Sequence, residues 1–540
     1  MEYNLADLFE HSVDHFGDRE YLVAEGQRRT YAEMEERANR LAHHLAEAGV
    51  RAGDHVGIYA LNSVEWVETL WAVFKIRAVW VNINYRYVED ELRYLIANAD
   101  LVAMVHQRCF GDRLAAIPDA IGGIRHRVVI EDGTDAEGPP GGVDYEEAIA
   151  AGSPERDFGP RSADDIDIYI LYTGGTTGMP KGVVWRHEDV LFALGGGLSP
   201  VTGERITHPG GLVERGLQGG PTTSLPIAPL MHGATQWSVM GGSFTGNKAV
   251  LVARFDPARV WELVGEEKVN MIMITGDAMG RPLVEALEER KDEYDLSSLF
   301  ALSSTAAVFS PSVKDQFLEH LPNLVLTDSV GSSESGATGY SVVAKGKTAM
   351  KGGPTVTPVG ETVVFDEHLQ RVQPGSGVVG KLARAGFLPL EYYKDEAKSR
   401  ETFVEVDGVR YAIPGDHAMV EEDGTITLLG RGSVSINSGG EKIFPEEVES
   451  VLKSHPDAYD VVVVGVPDER WGERIAAVVE PRPGTTPTLE ALQAHCRTKL
   501  AGYKVPRELH VVDKVQRSPS GKPDYPWAKK LATESVPTGG

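Results

Sequence analysis

Cysteine is almost missing: Cys109 and Cys496 are the two in 540 residues, far apart and outside any CxxC pattern. Neither a disulfide framework nor a zinc ribbon can be built from them, and a reducing, cytoplasmic compartment fits. Long apolar runs are missing too. The most apolar stretch, Leu70 to Ile83, is interrupted by Lys75 and Arg77 and falls short of the roughly 18 uninterrupted residues a membrane helix needs. It reads as core, and no integral membrane segment is expected. The N-terminal MEYNLADLFEHSVDHFGD is acidic and amphipathic, where a secretory signal is basic and then apolar, so no export is expected. Positive charge is scarce: 53 Lys+Arg stand against 79 Asp+Glu, a net charge of −26. A field of that sign repels nucleic acid and anionic lipid, so a phosphate-bearing ligand needs a local basic pocket.

What is present is an ordinary folded composition, 42% hydrophobic and 24% charged, which excludes bulk disorder. The length implies two or three domains. Thr30 to Glu33 (TYAE) is a capping box, followed by apolar residues at helical spacing. HVGIYAL then reads as a strand, NSVEWVETLWAVFKI as a helix, AVWVNI as a strand, EDELRYLIANA as a helix and LVAMVH as a strand. That alternation is what a helix-wrapped parallel sheet produces. Asp132 to Gly142 reads as a loop, and the glycine-rich Val201 to Thr223 as a longer irregular connection. Past about residue 430 the texture changes to a small α+β unit: a helix entry at EKIFPEEVESVLKSHP, buried strands at YDVVVVGVP and IAAVVEPRP, and a helix at LEALQAHCRTKLAG.

The chemistry concentrates after the apolar strand Ile168 to Leu171. Thr173 to Lys181 packs three glycines, three threonines and a lysine into nine residues. Glycines let backbone N–H groups approach an anion, threonine hydroxyls add donors, and Lys181 supplies a mobile positive charge. This is a phosphate cradle. It is not a Walker loop, because Pro180 precedes the lysine and Gly182 takes the magnesium-binding Ser/Thr position.

YTGGTTGMPKG resembles the phosphate-loop signature of the adenylate-forming superfamily, and further matches follow in that family's order. VGSSE (330–334) resembles its YGxTE segment, AIPGDHA places Asp416 at its TGD, and GRGSVSINSGGEKIFPEEVE (430–449) resembles its hinge and following loop. GYKVP (502–506) and RSPSGKPDY (517–525) complete the set and place Lys522 at the C-terminal catalytic lysine. The resemblance covers about residues 5 to 530. It implies an α/β fold: a large N-terminal domain, residues 1–430, with helix-wrapped, mostly parallel sheets and a β-subdomain. A hinge at 431–433 and a small mobile α+β domain at 434–540 follow.

The implied activity is that of an acyl-CoA synthetase. A carboxylate is a poor acyl donor, so the family joins it to AMP, expels pyrophosphate and then transfers the acyl group to a thiol. The carboxylate is already ionised near neutral pH, so catalysis of the first step rests on positive charge and positioning. By resemblance, Thr173, Gly174, Gly175, Thr176, Thr177, Gly178 and Lys181 hold the ATP phosphates. Glu334 and Ser333 lie by Mg2+ and the α phosphate, Asp416 accepts from the ribose hydroxyls, and Arg431 lies on ribose or phosphate. Lys522, with Glu334 and Lys181, forms the catalytic set. For the thioester step the family rotates its small domain, and Gly439 and Gly440 match the path of the CoA pantetheine arm. His232 and Trp237 of PLMHGATQW match the acyl pocket.

The chain departs from the family at three places. Val330 stands where an aromatic residue stacks on adenine, which shifts part of base recognition to Ser304, Thr305 and Asp328; Ser433 replaces the hinge Asp or Lys, and SSTAAVFSP (303–311) replaces a GGAP-like strand. Segments such as ITGDAMGRPLVEAL resemble actinobacterial synthetases for medium- or long-chain fatty acids or steroid side-chain carboxylates. The expected partners are therefore a small-molecule carboxylate, ATP and CoA, with a homodimer as in much of the family. Two alternatives remain open: loading of a carrier protein with the acyl group, and nucleotide binding without turnover. His11 and His15 at i, i+4 lack a third ligand nearby, and GSSES (331–335) fails the GxSxG elbow at its fifth residue.

Overall fold

The computed structural model describes residues 3–538 apart from 160, 162–166, 174–178, 199–202, 344–352, 439–440, 469–470 and 519–520; the side chains of Arg431, Ser433 and Lys442 also fall outside the description. Helices begin where the local chemistry says they should. Thr30 Oγ1 accepts from the Glu33 amide at 3.1 Å while Glu33 Oε2 accepts from the Thr30 amide at 2.8 Å, and the helix Tyr31–Glu47 follows. Strand His55–Tyr59, helix Val64–Lys75, strand Val79–Asn82, helix Glu89–Asn98 and strand Leu101–Gln107 then succeed one another as the alternation implies. Residues 132–142 form no helix or strand.

Two large sheets organise the first part of the chain. In the eight-stranded one, Val79–Asn82 lies between His55–Tyr59 and Ile168–Thr173, all three parallel. Ligand-binding loops of such sheets leave the carboxyl ends of central strands, and the Thr173–Lys181 segment does so. The fifteen-stranded sheet has a parallel run that includes Met271–Ile274, Ala301–Thr305 and Val325–Ser332. It turns antiparallel from Gly336–Val343 onward, where the β-subdomain begins. An apolar core shared by both sheets and the helices Leu5–Phe16, Tyr31–Glu47 and Val64–Lys75 joins them. Phe9 stacks on Trp71 with ring centroids 4.2 Å apart. Lys75, which interrupts the apolar stretch, is fully buried and is paired with Glu10 at 2.6 Å and Glu35 at 2.8 Å.

The 201–223 connection departs from expectation, because it contains the helix Gly211–Gly219. One of its glycines, Gly216, reflects close packing. A Cβ on Gly216 would stand 2.1 Å from the Thr245 carbonyl oxygen, so only glycine lets this helix lie against that backbone.

Past Ile426–Arg431 the chain forms a separate domain around a five-stranded sheet. The valine run in the strand Ala458–Asp468 is buried on both faces. Val461 and Val463 pack with the helices Pro445–Leu452 and Leu489–Arg497, while Val462 and Val464 pack with Tyr525–Glu534. A strand covered on both sides reads as continuous apolar sequence. Among the described residues no helix is long and apolar enough to cross a membrane.

Candidate active site

Strands Ile168–Thr173 and Lys181–Arg186 pair antiparallel with Thr173 opposite Lys181, which closes the base of the glycine-rich loop. Gly174, Gly175, Thr176, Thr177 and Gly178 lie outside the described residues, as do Gly439, Gly440 and the side chains of Arg431 and Ser433. Lys181 Nζ is ion-paired with Asp395, the N-cap of helix Glu396–Thr402, and the ammonium holds that carboxyl below the usual carboxylate range. Lys181 Nζ also stands 5.9 Å from the ring centre of Tyr392. The Tyr392 hydroxyl donates to Glu334 Oε1 at 2.9 Å. One tyrosine thus links the lysine that ends the glycine-rich loop to the glutamate of the VGSSE turn.

That turn joins Val325–Ser332 to Gly336–Val343. The Ser335 amide donates to Ser332 Oγ at 3.2 Å, and Trp185 Nε1 donates to the Ser333 carbonyl at 2.9 Å. Glu334 is 9% exposed. Its carboxylate is a hard-oxygen donor of the kind Mg2+ takes when substrate phosphates and waters complete its shell. Among the described residues no group of three or more His, Cys, Asp or Glu is arranged to hold a metal by itself.

Asp416 opens the strand Asp416–Val420 in register with Arg431. It lines a cavity of about 240 Å³ together with Ser304, Asp328, Val330, Glu446 and Lys522. Residues more than two hundred positions apart in sequence, from the large domain and the small one, therefore share one chamber. Asp328 is committed within it. Burial pushes its carboxyl up, and the Lys314 ammonium, ion-paired to it, pulls the other way. Ser304 Oγ accepts from the Gly276 amide at 3.1 Å.

Lys522 sits in a tight hairpin. The Ser518 amide donates to the Lys522 carbonyl at 2.8 Å, the Lys522 amide donates to Ser518 Oγ at 3.2 Å, and Arg517 pairs with Pro523 across it. Within it, Gly521 lies against the large domain. Gly521 has φ +72°, and a Cβ there would stand 2.8 Å from the Thr275 carbonyl and 3.1 Å from Ala278 Cβ. His232 precedes the helix Gly233–Ser243. Burial first, then the positive charges of Lys522 and Arg86, push its imidazole down to about 3, so the ring is neutral at physiological pH. Trp237 packs edge-on against Tyr169, centroids 5.6 Å apart, inside the main core.

Several site residues escape sequence reading. Asn82, at the end of a buried strand, donates to the carbonyls of Tyr172 at 3.0 Å and Met231 at 2.7 Å and accepts from the Tyr172 amide at 2.8 Å. It ties the phosphate-loop strand to the His232 segment. Asn62 accepts from the Leu230 amide of the same segment at 2.6 Å and donates to the Val252 carbonyl, after the strand Lys248–Leu251, at 3.0 Å. Polar residues inside apolar strands were the available signal for these two. Nothing local marks Tyr392 or Asp395.

Residues 9–389 match the family model described as AMP-binding enzyme, and residues 447–522 match the AMP-binding enzyme C-terminal domain. The chain is 54% identical to a 3-oxocholest-4-en-26-oate–CoA ligase of Rhodococcus rhodochrous, over 98% of this chain and 96% of that protein. It is equally 54% identical to a medium/long-chain-fatty-acid–CoA/3-oxocholest-4-en-26-oate–CoA ligase of Mycolicibacterium smegmatis, over 99% and 97%. In fold it resembles the anthranilate CoA ligase AuaEII solved with anthranoyl-AMP, with a TM-score of 0.83 at 22% identity over 99% of each chain. The ATP-bound MatB of Rhodopseudomonas palustris gives 0.81 at 23% over 98% and 99%. With both domains matched and near-complete coverage of such relatives, the chain belongs to the AMP-binding enzyme family.

Proposed function

We propose that the protein is an ATP-dependent acyl-CoA ligase acting on medium- or long-chain fatty acids or on steroid side-chain carboxylates, through an acyl-adenylate. The observation that carries this reading is the shared chamber: Asp416 of the large domain and Lys522 of the small one line the same cavity. The relatives' names supply the acyl class.

In the first step a carboxylate oxygen bonds to the α phosphorus of ATP and the bond to the pyrophosphate oxygen breaks. Two anions must meet, so Lys522 stabilises charge on the carboxylate and α phosphate, and Thr173 and Lys181 with the loop between them hold the β and γ phosphates. ATP takes Lys181 away from Asp395. Asp416 accepts from the ribose hydroxyls and Arg431 assists, while Ser304, Thr305 and Asp328 lie toward the base. Mg2+ at Glu334 and Ser333 would neutralise phosphate charge during the transfer. His232 and Trp237 bound the acyl side. In the second step the small domain, residues 434–540, turns about the hinge 431–433. The CoA sulfur bonds to the acyl carbon as the bond from that carbon to the AMP phosphate oxygen breaks, AMP leaves and the thiol proton passes to solvent, with Gly439 and Gly440 giving the pantetheine arm room. A cleft of about 1420 Å³ between the domains, with Arg86, Arg254 and Lys514 in its lining, supports entry of a polyanion into a protein whose net charge is −26. The reading includes a cytoplasmic location and a homodimer, the latter checked by sedimentation.

The test is AMP release with ATP, Mg2+ and CoA across short, medium and long fatty acids, aromatic acids and steroid side-chain acids. CoA-dependent turnover on fatty or steroid acids is the expected result. Carboxylate-dependent pyrophosphate exchange without CoA turnover would move the second step to a carrier protein. Exchange at background with ATP still bound would overturn the ligase.

A further inference from the structure

The hairpin that carries Lys522 is anchored by buried charges. Arg517 Nη1 donates to the Gly521 carbonyl at 2.8 Å, one residue before the lysine. The same guanidinium grips Asp460 with two bonds, Nε to Oδ2 at 2.5 Å and Nη2 to Oδ1 at 2.7 Å. Asp460 also faces Lys453 Nζ at 3.5 Å, and Lys453 reaches Asp277 Oδ2, on the large domain, at 4.0 Å. Asp277 begins the helix Asp277–Arg290, and its Oδ1 accepts from the Ser310 amide at 2.8 Å. Side-chain exposure is 3% for Lys453, 6% for Asp277, 12% for Arg517 and 16% for Asp460.

We propose that Arg517 is a positioning residue for adenylation: Asp460 and Arg517 hold the Lys522 hairpin on the small domain, and the Lys453–Asp277 end of the run ties that hairpin to the large domain when the two are docked as they are here. The proposal rests on the ligase reading and on Lys522 as its adenylation lysine.

Three features favour this role over a merely structural ion pair. First, the contacts end on the backbone of Gly521, so a displacement of the guanidinium moves the lysine. Second, Asp277 lies in the same turn of structure that Gly521 touches, residues 275 to 278. The ion pair and the glycine contact therefore register the same docking. Third, the charges balance only in the docked state. Against the burial that raises it, Lys453 and Arg517 hold Asp460 down at about 2, and burial pushes the adjacent Glu449 carboxyl up. Lys453 thus keeps Asp460 as a partner when the domains separate, while Asp277 loses its cation and returns to water. Domain release then costs one buried pair instead of several, which suits an interface that must open each cycle.

The experiment measures the two half-reactions separately in the full-length protein: pyrophosphate exchange for adenylation, and CoA thioester formation from preformed acyl-adenylate. Arg517→Met should lower the adenylation rate by about a hundredfold, the usual effect of misplacing a catalytic group by an ångström. The KM for ATP and the thioester half-reaction should stay within about threefold of the parent. Arg517→Lys keeps the charge but cannot bond Asp460 and the Gly521 carbonyl with one planar fork, so it should recover only part of the rate. Asp277→Asn, which leaves the small domain untouched, should lower adenylation alone by about tenfold. Equal loss in both half-reactions together with a lowered melting temperature would overturn the proposal in favour of a structural pair. Parent-like adenylation in Arg517→Met, with Lys522→Ala inactive, would overturn it and leave the ligase reading standing. Parent-like adenylation in Lys522→Ala would instead remove the role of the lysine on which it rests.

Discussion

Tyr392→Phe deletes a single hydroxyl at the centre of the site. That hydroxyl donates to Glu334 Oε1 at 2.9 Å, between residues that are 4% and 9% exposed. The ring itself has other work, packing 5.9 Å from Phe403 and lying 5.9 Å from Lys181 Nζ, and phenylalanine keeps both contacts. A buried hydrogen bond to an ionised acceptor contributes about 1.5–3 kcal/mol. At about 1.4 kcal/mol per factor of ten, losing the orientation of Glu334 should slow adenylation by about tenfold to a hundredfold. The assay is carboxylate-dependent pyrophosphate exchange over a Mg2+ titration. The midpoint should move to higher Mg2+, and excess metal should restore part of the rate by mass action. An exchange rate within about twofold of the parent at every Mg2+ concentration would refute the role given to this hydrogen bond.

Asp416→Ala should raise the KM for ATP by about tenfold through the lost ribose bonds, and the penalty should shrink with 2′-deoxy-ATP; an unchanged ATP dependence would count against the assignment. Gly440→Leu should block thioester formation while adenylation continues, and a normal rate from preformed acyl-adenylate would remove this loop from the CoA path. Gly216→Ala places a Cβ 2.1 Å from the Thr245 carbonyl and should cost about 1–3 kcal/mol of stability, read as a lower melting temperature. His187 is pushed down to about 3 by burial, below its unfolded value. The unfolded chain therefore binds the proton first, and the stability contribution is complete above about pH 6.5 and lost as pH falls toward the folded value. At pH 5 that loss is about 2 kcal/mol, so His187→Gln should flatten the melting-temperature slope between pH 5 and 6.5, and parallel slopes would contradict it.

Much of the fold is legible locally. The capping box at Thr30, the alternation from His55 to Gln107 and the valine run at 461–464 are periodicities of backbone geometry, and a periodicity needs no knowledge of its neighbours. The Val201–Thr223 connection misleads because glycine carries two meanings. It breaks helices in isolation, yet Gly216 is there because Thr245 lies against a helix, a fact of packing.

The site divides in the same way. Motif order nominated the residues proposed to meet substrate, from Thr173 and Lys181 through Glu334 and Asp416 to Lys522, because each belongs to a short segment whose residue types suit one chemical task. The sequence by itself determined that inventory, the two-part organisation and the acidic field that makes a local basic site necessary. Only the tertiary structure decided what holds those residues in place. Asp395 meets Lys181 from 214 positions away, Tyr392 meets Glu334 from 58, and Asn82 meets Met231 from 149. Asp277 meets Lys453 across a domain boundary. Supporting contacts of this kind are made between residues with no local signature, since a buried hydrogen bond or ion pair constrains only the point where two distant segments arrive, and that point is set by how the sheets pack.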